Sequence, residues 1–168
     1  DTFDVNHKNV KFIKADFEDT GLTTKFDVIT SHDSFQYALN PVKTLTHWWE
    51  LANPNAMLIM QVPQTTNIKY NRQDFSSENF AYNHYTLVNL IHMLAVTGWD
   101  CKDGYFYKRI GDPWIRLAVY RSDIEPMDPR TTTWYELAEK GLLPDSAERS
   151  INKHGYLKQE DLQLQWLN

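Results

Sequence analysis

The segment from 10 to 63 constrains the fold most, because it reads in order as strand, acidic turn, strand, helix and strand. The first predicted strand ends at Asp16, and the second covers 26–30. An Asn-Pro pair at 40–41 then supplies a helix N-cap and a first-turn proline. The continuous apolar run at 56–62 is typical of a strand that is covered on both faces. This order of elements predicts an open α/β sheet of the kind that binds nucleotides.

The following part of the chain predicts one more helix and a hairpin. Residues 86–97 recover helical spacing and end at Gly98, which suits a helix C-terminus. The segments 99–108 and 114–121 read as two strands joined by a turn that contains glycine and proline. We therefore expect a Rossmann-like, mostly parallel sheet that finishes with an antiparallel hairpin.

The character of the sequence changes after Pro126 and Pro129, where the pattern favours helices. One helix is predicted around Trp134 and a weaker one at 159–167, with a polar connection between them. The predicted organisation is an α/β domain at 1–125 and a helical C-terminal extension at 126–168, which packs on the sheet or on another subunit.

Composition and charge exclude several classes of function. The net charge of -5 and the pI near 5.6 give no basic field that would attract nucleic acid. The longest nearly apolar run, 56–60, is far too short to cross a bilayer, and no signal peptide opens the chain, so we expect a cytoplasmic protein. Cys101 is the single cysteine, and the histidines have no zinc-binding spacing, so no metal site is predicted.

Polar residues follow two of the predicted strands, in the strings KADFED and KFDVITSHDSFQY, and a third strand lies in LANPNAMLIMQVP. As an ordered set these strings resemble the second half of a class I S-adenosylmethionine-dependent methyltransferase. In that family the turn before the third strand is normally Leu-x-Pro-Gly-Gly, and here Pro54 is kept while Asn55 and Ala56 replace the glycines. The family's glycine-rich cofactor turn is not present in this chain, which predicts an α/β domain that is truncated at its N-terminal part.

The resemblance implies S-adenosylmethionine as cofactor and assigns it a set of contacts. Asp16 and Phe17 match the acid and the apolar residue that meet the adenine amine and the adenine face. Asp4 matches the acid that binds the ribose hydroxyls, although the connection to the next strand is short for a parallel crossover. Ser31 and His32 would lie near the methyl-donating sulfonium, at the edge of the sheet where ligands bind in such folds.

The catalytic candidates are His32, as a general base for a hydroxyl or amine acceptor, and Asp33, which could orient it. A structural histidine is the competing interpretation. The predicted acceptor is a small molecule, and the candidates for binding it are Gln36, Tyr37, Gln64, Tyr82 and His84.

Three hypotheses of function remain open at this stage, and the weakest is a different nucleotide-binding α/β enzyme, which would bind a dinucleotide. The first is transfer of a methyl group from S-adenosylmethionine to an unknown acceptor. The second is a non-catalytic interaction module that kept the methyltransferase fold and lost the donor site. An incomplete sheet leaves unpaired edges, so we also expect a homodimer that covers the sheet edges or the tail helices.

Overall fold

The computed structural model describes residues 10–64, 82–107 and 114–166. The helices are α1 (Pro41–Leu51), α2 (Leu87–Val96), α3 (Trp134–Glu139) and α4 (Asp145–His154), and short 3₁₀ turns lie at Phe35–Tyr37 and Gln159–Asp161. The strands are β1 (Phe26–His32), β2 (Ala52–Pro63), β3 (Trp99–Tyr107), β4 (Trp114–Arg121) and β5 (Gln165–Trp166).

The five strands form one sheet in the order β1-β2-β4-β3-β5. The β1–β2 and β3–β5 pairs are parallel, whereas β4 runs antiparallel to both of its neighbours. All strands except β4 therefore point in one direction. The prediction of a mostly parallel Rossmann-like sheet that ends in an antiparallel β3–β4 hairpin is confirmed.

The hydrophobic core lies against one face of this sheet. Alternate residues of β2, from Ala56 to Val62, are buried, while Met57, Ile59 and Gln61 between them are only partly covered. The buried face meets α1 and α2, and the indole of Trp99 donates a hydrogen bond to the Leu45 carbonyl at 3.2 Å. The core thus holds the helices on one side and fixes where the ends of β1 and β2 lie.

The helices begin at the caps that their sequences supply. The side chain of Asn40 accepts a hydrogen bond from the Lys43 backbone N–H, and Pro41 occupies the first turn of α1. Thr86 and Asn89 form a reciprocal capping box at the start of α2. These caps satisfy backbone donors that the first helical turn leaves unpaired, and they set the point where each chain segment leaves the sheet edge.

Strand β2 begins earlier than predicted, because the Asn-Pro-Asn turn belongs to the strand. The β1–β2 register shifts between Phe26, which pairs with Ala52, and Val28, which pairs with Met57. Asn55 takes up the irregularity with a φ of 61°. Asn55 therefore adopts the left-handed conformation that favours glycine, at a position where the family normally has glycine.

The predicted first strand is wrong. Residues 10–15 are irregular and exposed, and the residues that follow directly form an isolated bridge between Asp16 and Asp19. The side chain of Phe12 is 76% exposed. Strand propensity reports how well a residue fits a half-buried pleated surface, and no described strand lies beside this segment to supply that surface.

The prediction for the C-terminal tail is correct in part. Its first helix is present as α3, but the region read as a polar connection contains α4, and the segment 159–167 contains a 3₁₀ turn and β5 instead of a helix. The tail joins the main core, because Leu137, Leu143 and Ile151 belong to the same hydrophobic cluster as β2. The tail therefore packs on the sheet, which is one of the two expected arrangements.

Within the described residues β1 is a terminal strand of the sheet, and Val28 on it is 51% exposed. A homodimer that covers this edge stays a prediction. Asp4 and the segment 65–81 lie outside the described residues.

Candidate active site at the carboxyl rim of the sheet

The ends of β1 and β2, the start of β4 and the end of β3 meet at one edge of the sheet, which we call the carboxyl rim. Its members are residues 31–37, Gln61, Gln64, 82–85, Tyr107 and Arg116. The rim follows from topology, because parallel strands end on the same side and β4 begins where they end.

The loop after β1 turns sharply at the rim. The Ser31 hydroxyl is buried and lies 2.9 Å from the Ser34 hydroxyl, while His32 is exposed to solvent. Asp33 has a φ of 51°, a conformation that costs most residues about 1–2 kcal/mol and that aspartate adopts more readily. The consecutive residues His32 and Asp33 are both exposed at this turn.

Gln61 of β2 holds Asp33 at two points. The Asp33 backbone N–H donates to the Gln61 carbonyl at 3.2 Å, and the Gln61 side-chain NH₂ donates to the Asp33 carboxylate at 2.9 Å. The Gln61 amide oxygen in turn accepts a hydrogen bond from Arg116 Nε at 2.6 Å, and the guanidinium of Arg116 lies 5.3 Å from the Tyr107 ring centre. A polar network therefore crosses the rim from β3 to the loop after β1.

The carboxylate of Asp33 thus contacts Gln61, and no hydrogen bond joins it to His32 within the residues described. The role of Asp33 in orienting His32 stays a prediction.

The segment 82–85 is fastened to the loop after β1. The Asn83 backbone N–H donates to the Gln36 carbonyl at 3.0 Å, and the Tyr85 ring stacks on the Phe35 ring at 5.2 Å between centres. The Tyr85 hydroxyl donates to the Phe35 carbonyl at 3.1 Å, and burial raises the pKa of this phenol well above its usual range. Tyr85 is therefore a neutral structural anchor of the rim.

Two buried polar atoms at the rim have no hydrogen-bond partner in the described structure. They are the side-chain oxygen of Gln36, whose NH₂ group donates to the Asp33 carbonyl at 2.8 Å, and Nδ1 of His84. Buried polar atoms without a partner are uncommon in native proteins. Both residues were predicted to bind an acceptor molecule, and both lie at the rim.

The segment around Asp16 lies beside α1 and is tied to the start of that helix. The Trp48 indole donates to the Phe17 carbonyl at 3.0 Å, and the Trp48 ring also contacts the Phe35 ring. Glu18 accepts a hydrogen bond from the Asn40 backbone N–H at 3.3 Å. The Asp16 carboxylate itself accepts from the Glu18 backbone N–H at 2.9 Å and closes a turn. The segment around Asp16 is thus linked to α1 and to the residues that connect the rim with the start of α1.

The remaining predicted positions fall at the rim with different exposure. Tyr37 and Tyr82 are exposed, and Gln64 is buried in a bridge to Tyr85. Among the described residues no cluster of side chains could hold a metal ion, and no helix is long and apolar enough to span a membrane.

A family model described as a methyltransferase domain matches residues 4–140. The chain belongs to the class I methyltransferase family. The resemblance drawn from the sequence is confirmed by this match.

Two solved structures that the methyltransferase domain resembles are themselves described as methyltransferases. The CurJ carbon methyltransferase shares 13% sequence identity with it at a TM-score of 0.51, over 64% of this chain and 34% of that one, which agrees with the family assignment at the level of the fold. An O-methyltransferase family protein from Burkholderia thailandensis shares 15% identity at a TM-score of 0.46, over 61% of this chain and 32% of that one. The chain spans about a third of the length of both proteins. No curated protein matches it significantly.

Sequence reasoning missed Gln61 and Arg116 as members of the methyltransferase domain's rim. A glutamine or an arginine in a strand whose residues alternate between apolar and polar is usually taken to face solvent. The available signal was the register, because Gln61 pairs with Arg116 across β2 and β4 and with His32 across β1 and β2. Register between distant strands could not be obtained from the sequence alone.

Proposed function

We propose that this methyltransferase domain binds S-adenosylmethionine at its carboxyl rim and takes part in methyl transfer to a small-molecule acceptor. The observation that carries the proposal is the convergence at the rim of two separate chain segments, 31–37 and 82–85, with an unpaired buried polar atom on each. Family membership supports the reaction class, and this convergence supports the rim as the site.

The rim residues fit a ligand of this type. S-adenosylmethionine carries amine and hydroxyl groups that would donate to the Gln36 oxygen, and its hydroxyl groups can pair with His84 Nδ1 in either tautomer. Ser31 and His32 would hold the donor at the end of β1, and Asp16 and Phe17 remain the candidates for the adenine side. When bound, the cofactor supplies an electrophilic methyl group on a sulfonium. The task of the protein is then chiefly to align donor and acceptor.

His32 is the group best placed to take a proton from the acceptor. It lies at the end of β1 with its side chain exposed, and a neutral imidazole nitrogen can accept a proton. Asp33 assists indirectly, because its contacts with Gln61 fix the backbone on which His32 is carried. His32 therefore has the role of proton acceptor, and Asp33 has a positioning role.

The direct test is a titration with S-adenosylhomocysteine, the stable product form of the cofactor. Calorimetry should give a dissociation constant in the micromolar range, about -8 kcal/mol, while the dinucleotide NAD should give no heat. Amide NMR signals of 31–37 should shift on binding, and those of 121–124 at the opposite end of the sheet should not.

Absence of binding would favour the non-catalytic interaction module over the enzyme. Binding with shifts confined to the opposite end would refute the location while keeping the cofactor. A response to NAD in place of S-adenosylhomocysteine would indicate a different nucleotide-binding protein. The three outcomes are separated by the same two measurements.

A further inference from the structure

The rim contains a non-glycine residue in a left-handed conformation that is held from two sides. Asp33 has a φ of 51°, and both its backbone N–H and its carboxylate are bonded to Gln61. Such residues persist where the surrounding structure determines them, and they concentrate at functional sites. The conformation of Asp33 therefore depends on what fixes Gln61.

Gln61 is fixed by Arg116, and the partners determine the orientation of its amide. The NH₂ group must face the Asp33 carboxylate and the oxygen must face Arg116 Nε, because a carboxylate only accepts and a guanidinium only donates. The chain of groups is cation, amide dipole and anion, in which each hydrogen bond polarises the next. Reversal of the amide would break both contacts.

We propose that Gln61 and Arg116 are positioning residues of this site, which hold Asp33, and through it His32, in the geometry that receives the ligand. The inference rests on the proposed function of the rim. It adds two residues that do not touch the reacting atoms and that act through the loop after β1. Tyr107 supports the arrangement by receiving the guanidinium of Arg116 on its ring face.

The arrangement can be broken by one substitution and restored by a second. Gln61→Glu keeps an acceptor for Arg116 but places a second carboxylate against Asp33, so the loop should be pushed out of its conformation. Adding Asp33→Asn restores a donor and acceptor pair in the reverse sense, because the amide introduced by this second substitution can donate to the new carboxylate. Gln159→Glu, on an exposed turn of the tail, is the matched control for the same chemical change.

Three readouts separate positioning from general stability. In Gln61→Glu we expect hydrogen exchange of the Asp33 amide to accelerate at least tenfold, the His32 ring signals to move, and affinity for S-adenosylhomocysteine to fall at least tenfold. The double variant D33N/Q61E should return all three to within about threefold of the parent. Gln159→Glu should change none of them.

The inference is overturned if Gln61→Glu behaves like Gln159→Glu, or if the double variant is no better than the single one. Failure of the proposed function is a different result, since the parent protein would then not bind S-adenosylhomocysteine. In that event the exchange and ring-signal readouts still decide whether Gln61 holds the loop.

Discussion

Strand β4 carries two arginines, one at each end of the sheet, and they have different surroundings. Arg116 lies at the carboxyl rim, where Nε donates to the side chain of Gln61. Arg121 lies at the opposite end, where Nε donates to the Trp49 backbone carbonyl at 3.1 Å and the guanidinium lies 3.8 Å above the Trp49 ring. Through the side chain of Gln61, the contact of Arg116 reaches the exposed loop after β1. The contact of Arg121 ends at a backbone carbonyl.

The opposite end is closed by further backbone contacts. The Trp49 indole donates to the Gly98 carbonyl at 3.2 Å, and the Ser122 hydroxyl donates to the same carbonyl at 2.7 Å. An arginine with an aromatic partner therefore serves stability at one end and positions a loop at the other. What distinguishes them is whether the accepting group belongs to the fixed backbone or to a side chain that contacts a turn.

The largest effect should come from Gly98→Ala at the closed end. A Cβ there would lie 2.4 Å from the Ile124 carbonyl oxygen and 2.7 Å from Trp49 Nε1, and the φ of Gly98 is +83°. We expect a loss of about 3 kcal/mol or more in the free energy of unfolding, measured by urea denaturation.

Gly141→Ala is the control for this substitution. Its φ is +69°, but nothing lies within 4 Å of the added Cβ, so the loss should be about 1 kcal/mol. Equal losses at Gly98 and Gly141 would show that the closed end tolerates rearrangement, and the contrast between the two ends would disappear.

The next test compares Arg121→Met with Arg116→Met. Removal of Arg121 deletes a backbone hydrogen bond and a close cation–π contact, so stability should fall by about 1–2 kcal/mol with no change in ligand affinity. Removal of Arg116 should cost less than about 1 kcal/mol in stability, yet it should weaken binding of S-adenosylhomocysteine. The same pattern in both variants, by urea titration and calorimetry, would contradict the division of roles.

The smallest effect is a pH dependence of stability that comes from the helical side of the sheet. His92 of α2 meets the Trp134 ring edge-on at 4.8 Å between ring centres, and burial lowers the pKa of this imidazole. The unfolded chain then binds a proton more readily than the folded one, so stability should decline as pH falls below about 6.5.

His92→Gln should flatten that decline when urea midpoints are measured across the pH range in which the imidazole titrates. An unchanged slope in the variant would assign the pH dependence to other groups. Binding at the rim should not respond to this substitution, because His92 lies on the helical side of the sheet.

Local patterns were sufficient for the presence of β2, although not for its start or for the burial of only one of its faces, and they were sufficient for the β3–β4 hairpin and for the capped start of α1. In each case the signal lies within a few residues, as with the apolar run of β2 and the Asn-Pro pair before α1. Local patterns were insufficient for 10–15, where β-favouring side chains need an adjacent strand. They were also insufficient for α4, whose single apolar stripe includes Ala147 and Ile151 in an otherwise charged segment.

The sequence by itself determined the family and the order of elements from β1 to β4, because these are written in consecutive residues, and it predicted the loop after β1 as a place for chemistry. Only the tertiary structure decided that Gln61 and Arg116 belong to that place and that Asp33 contacts Gln61 instead of His32. Those facts depend on the register between β1, β2 and β4. Register is set by packing of the whole sheet against α1 and α2, which no local stretch of sequence contains.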